Sequence, residues 1–103
     1  MKEVLLSADG EISVFRVPDH VADNLGKYCW DFSCHWLHES PDAAKYRVDR
    51  GNGFAVSYNE KDFIAYLNQF VCAEPSTLVT TLSNVFSTDD VPEEYLGLPY
   101  FNF

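Results

Sequence analysis

Five side chains able to do chemistry crowd one stretch of the sequence: Cys29, Asp31, Cys34, His35 and His38. On a helix, Cys34 and His38 stand four residues apart, as do Asp31 and His35. That spacing puts each pair on adjacent turns of one face, the geometry of a metal half-site. A tetrahedral zinc ion takes three or four protein ligands, and the spacing here matches no zinc signature. Cys34, His38 and His35 are therefore weak metal candidates, and the plainer reading is a thiol and two imidazoles with no ion. No cofactor is implied.

As a nucleophile, Cys34 would stand near the C-terminal end of such a helix, where the dipole disfavours thiolate. A dyad carried on one helix also brings no oxyanion donors with it. Gly51-Asn52-Gly53 lacks the Lys-Ser/Thr of a phosphate loop and reads as a hairpin turn. No two carboxylates are placed as general acid and base, and no serine sits in a nucleophile elbow. The expectation is a protein that is not an enzyme.

These side chains need elements to hold them. Residues 3–8 and 11–17 alternate as strands about Asp9-Gly10, a strong hairpin signal. Asp19 is expected to cap a helix running to about residue 39, with Val21, Leu25, Tyr28, Phe32 and Trp36 as its buried stripe. Ser40-Pro41-Asp42 ends that helix and can start a short turn. Residues 46–49 and 54–58 form a second hairpin. Asn59 caps the next helix, which buries Phe63, Ile64, Leu67, Phe70 and Val71 and stops at Glu74-Pro75. Leu78, Val79, Leu82, Val85 and Phe86 suit a third helix, though the density of Thr and Val also suits a strand. The expected architecture is a single α+β domain over residues 1–103 in the order ββα-ββα. It has an antiparallel sheet of about four strands with helices on one face, then a C-terminal helix and an apolar tail.

Composition narrows the function. The 103 residues are 47% hydrophobic and 16% aromatic, which supplies a core and excludes a disordered chain. Sixteen acids against seven bases give a net charge of −9, and Lys61 is the only base after residue 50. A direct nucleic-acid reader needs a Lys/Arg patch, and an anionic membrane surface would repel this chain. No apolar run reaches the ~18 residues of a membrane span. The first apolar run is too short for a signal segment, and three cysteines make no disulfide framework, so a reduced, cytoplasmic setting is expected.

What the sequence has in excess is apolar surface. At 3.6 residues per turn Trp30 and Leu37 lie about 180° and about 160° round the helix from Val21, opposite the buried stripe. The tail Leu98-Pro99-Tyr100-Phe101-Asn102-Phe103 is equally apolar; it folds back on its own core or docks elsewhere. Trp30, Leu37, Tyr95, Tyr100, Phe101 and Phe103 are thus predicted to contact a protein partner or a second copy of the chain. An acidic rim of Asp89, Asp90, Glu93 and Glu94 lies beside them. The expected function is a non-catalytic protein–protein interaction module. Two alternatives stand beside it: a metal- or thiol-dependent activity at Cys34, His35 and His38, and an acidic mimic of DNA that blocks a nucleic-acid enzyme.

Overall fold

In the computed structural model, which describes residues 1–103, the first hairpin joins β1 (Lys2–Ser7) to β2 (Ser13–Val17). Val4 stands opposite Phe15 and Leu6 opposite Ser13. The connection is longer than a two-residue turn, and Asp9 rather than Gly10 takes the left-handed conformation, with φ at 57°. Asp9 tolerates it because its neighbours are tied down: the Asn102 side-chain oxygen accepts from the Asp9 N–H at 2.9 Å and from the Ser7 hydroxyl at 2.9 Å.

The long helix forms in pieces. α1 (Asp19–Asp23) breaks at Asn24, whose side-chain amide donates to the freed His20 carbonyl at 2.9 Å. Asp19 does not cap it; Pro18 holds the cap position, and the Asp19 carboxylate pairs with the N-terminal amine at 2.9 Å. α2 (Leu25–Trp30) then passes into a π-helical segment, Asp31–Trp36, and α3 (Leu37–Glu39). The Ser33 hydroxyl donates to the Cys29 carbonyl at 2.9 Å, taking the acceptor that an α-helical N–H would use. A π turn follows, in which the Leu37 N–H donates to the Phe32 carbonyl. Residues five apart therefore share a face, where an α-helix would set them about 140° apart. This overturns the placement of Leu37 opposite the core: it is fully buried, beneath the same face as Phe32.

Ser40 caps a 3-10 helix, Pro41–Tyr46, accepting from the Asp42 N–H at 3.2 Å. β3 (Arg47–Asp49) and β4 (Phe54–Val56) form a separate two-stranded ribbon rather than joining the main sheet. α4 (Glu60–Tyr66) starts at a capping box in which Asn59 and Asp62 satisfy each other's backbone N–H groups. It too ends in a π-helical segment, Leu67–Val71, where the Cys72 N–H reaches the Leu67 carbonyl at 2.8 Å. A π turn takes about one residue more than an α turn, so Phe70 and Val71 arrive short of the core. They are 48% and 38% exposed, against the buried stripe expected of them.

Residues 76–86 are not a helix. β5 (Thr77–Thr81) runs antiparallel to β2, and β6 (Tyr100–Asn102) runs parallel to β1. The main sheet is therefore mixed, in the order β5-β2-β1-β6, in place of the all-antiparallel sheet and C-terminal helix expected. β2 exposes a full edge of backbone N–H and C=O groups, and Thr- and Val-rich β5 satisfies them at no cost in propensity. Both sheet faces are covered. Val4, Leu6, Phe15 and Val17 pack under the helices, while Leu5, Ile12 and Val14 pack under Leu82 and Val91. The whole is an α+β domain with no helix long and apolar enough to cross a membrane.

Candidate functional site

The thiols and imidazoles of the long helix do not converge. Cys29 is fully buried, and burial pushes its thiol far above the ordinary range, so it serves as a small core residue. Cys34, His35 and His38 are exposed; the Cys34 sulfur lies 3.7 Å from the Ser33 hydroxyl, and the His38 ring packs 5.6 Å from Phe54. No group of three His, Cys, Asp or Glu side chains is arranged to hold a metal ion.

Tertiary structure does make one thiol–imidazole contact that no spacing announced. Cys72 Sγ lies 3.9 Å from His20 Nε2, and the His20 ring meets Tyr28 edge-on at 5.9 Å. The pair is poorly suited to nucleophilic work. Burial, with the Glu74 carboxylate adding to it, pushes the Cys72 thiol up, and Cys72 sits at the C-terminal end of a helix.

Of the side chains expected to meet a partner, Trp30 and Tyr100 remain exposed, at 59% and 38%. Leu37 is in the core. The tail folds back on its own chain: β6 pairs with β1, and the Phe103 ring lies 5.8 Å from Phe32 and 5.4 Å from Phe63. Phe101 packs against Phe103 at 4.9 Å, Tyr95 leans on the second cluster, and the Tyr100 hydroxyl lies 2.9 Å from that of Ser7. Phe101, Phe103 and Tyr95 are thus largely occupied by their own fold, because a chain this small needs their burial.

Two features escaped the sequence reasoning. The first is the free edge of β5. Leu78 and Val79 on it are 48% and 41% exposed, and Val79 is a bulge residue with no partner on β2. The signal was present: residues 75–88 contain no charged side chain at all. The second is an open cleft of about 490 Å³ lined by Asp31, His35, Trp36, Glu39, Ser40 and Tyr66. Its aromatic lining comes from two helices, with Trp36 and Tyr66 centroids 4.9 Å apart; Phe70, outside the lining, lies 5.3 Å from Trp36. Burial, and after it the Asp31 charge, pushes the Tyr66 phenol up.

No protein-family model, curated protein or solved structure matches this chain.

Proposed function

We propose that the chain is a non-catalytic protein–protein interaction module that pairs with a second copy of itself through the edge of β5. The observation that carries this reading is the uncharged, unpaired edge at Thr77–Thr81 with Leu78 and Val79 exposed on the strand. Soluble proteins ordinarily blunt such an edge with Lys, Pro or a covering segment, and here a single bulge is the only such device on the strand. An antiparallel two-fold pairing about Val79 sets Leu78 opposite Thr80 and Thr77 opposite Thr81. No like charges meet along it. A heterologous strand would use the same row of backbone groups.

Light scattering across a concentration series reads this directly. The intact chain is expected to pass from monomer to dimer, and Val79→Lys to remain a monomer. At −9 per copy the two chains repel, so added salt should tighten the dimer by screening that repulsion. A chain that stays monomeric at about 1 mM and high salt overturns the reading, as does a dimer that Val79→Lys and Leu78→Lys leave intact.

A further inference from the structure

We propose that the cleft between the π-helical segment Asp31–Trp36 and α4 binds the guanidinium group of an arginine side chain presented by a partner protein. The cleft combines two packed aromatic rings with negative charge at its margin. Trp36 and Tyr66 line it with ring centroids 4.9 Å apart, and Asp31 and Glu39 line it too, with His35 between them in sequence. Guanidinium is planar and weakly hydrated for a cation, so it stacks on such faces while its N–H fork meets carboxylates.

Neither carboxylate is already neutralised. The ion pairs of the molecule use Asp19 and Asp23. Arg47, the basic side chain at the Ser40 end, is held by bonds to the Leu37 and Ser40 carbonyls and lies 5.6 Å from the Phe54 ring. Lys45 sits over Tyr46 at 5.1 Å. No cation of this chain fills the cleft. A primary ammonium would gain the same Coulomb attraction but carries a tighter hydration shell and no flat face to stack, which is why arginine is the better fit. This site shares no residue with the β5 edge and does not depend on self-association.

The experiment is a two-dimensional NMR titration of the intact chain with acetyl-arginine amide, against acetyl-citrulline amide and acetyl-lysine amide. Citrulline keeps the shape of arginine and removes the charge. Expected is a saturable shift of the Trp36 indole N–H with arginine, weakened about threefold or more by raising salt to 0.5 M. Citrulline should bind about tenfold more weakly, and lysine measurably more weakly than arginine. The Asp31→Asn, Glu39→Gln double variant should lose the shift while keeping the rest of its spectrum, since Glu39 is exposed and Asp31 half-buried. No saturable response by about 50 mM arginine amide overturns the proposal. Equal responses to citrulline, equal responses to lysine, or full retention by the double variant also overturn it.

Discussion

Phe32 is the residue on which the most aromatic packing depends. Fully buried, its ring lies within 6 Å of Trp36, Tyr58, Phe63, Tyr66 and Phe103, which come from four separate parts of the chain. Phe32→Ala should cost about 3–5 kcal/mol of unfolding free energy by urea denaturation, a large share of a small domain's stability. Ser76 offers the opposite case. Its hydroxyl is buried with no hydrogen-bond partner, while its backbone N–H and carbonyl are both held by the Asn68 side chain. Removing an unpaired polar group relieves a desolvation cost, so Ser76→Ala should be neutral or stabilising by up to about 1 kcal/mol in the same assay.

Among the elements, β6 does work out of proportion to its three residues. Its Asn102 clamps the β1–β2 turn, and the following Phe103 N–H reaches the Ser7 carbonyl at 2.9 Å while its ring closes over Phe32. Truncation after Gly97 strips the outer edge from β1 and opens the core. The shortened chain should lose its cooperative thermal transition by circular dichroism. A truncated chain that melts like the full one would show the tail to be dispensable. The π segments matter at this scale as well, since each re-aims its residues: the first brings Leu37 into the core, and the second leaves Phe70 exposed against Trp36.

At the scale of the molecule, the dimensions of 45 × 30 × 18 Å leave little interior. Only 23 of 103 residues are buried, so a chain that is 47% hydrophobic must carry apolar side chains outside. That surplus includes Trp30, Leu78 and Val79 on β5, Phe70 with Val71, Phe86 and Leu96. Alkali offers a global test of packing. Burial pushes the Tyr58 and Tyr66 phenols up, so the unfolded chain releases those protons first, near pH 10, and folding stability falls as pH rises from there through the raised native values. Absorbance at 295 nm should show a tyrosine ionisation step displaced above pH 10, or one that coincides with unfolding. Simultaneous ionisation of all six tyrosines in a still-folded chain would contradict the packing of α4 on the long helix.

The sequence by itself determined what is local. The hairpin about Asp9-Gly10, the Ser40 cap with Pro41 behind it, the turn at residues 50–53 and the Asn59 cap all rest on contacts within a few residues, so short-range chemistry suffices to read them. It also showed a chain with apolar residues to spare and Trp30 on an outer helical face. Tertiary structure alone decided the rest. Residues 77–81 suit helix or strand nearly equally, and the vacant edge of β2 selected strand. β6 joined β1 across more than ninety residues, a pairing with no local signature. Helical periodicity misplaced Leu37 because the count of residues per turn changes where Ser33 takes a backbone acceptor. The cleft, and the His20–Cys72 contact, exist only because separate helices meet, and the order of residues along one chain does not state which distant faces will touch.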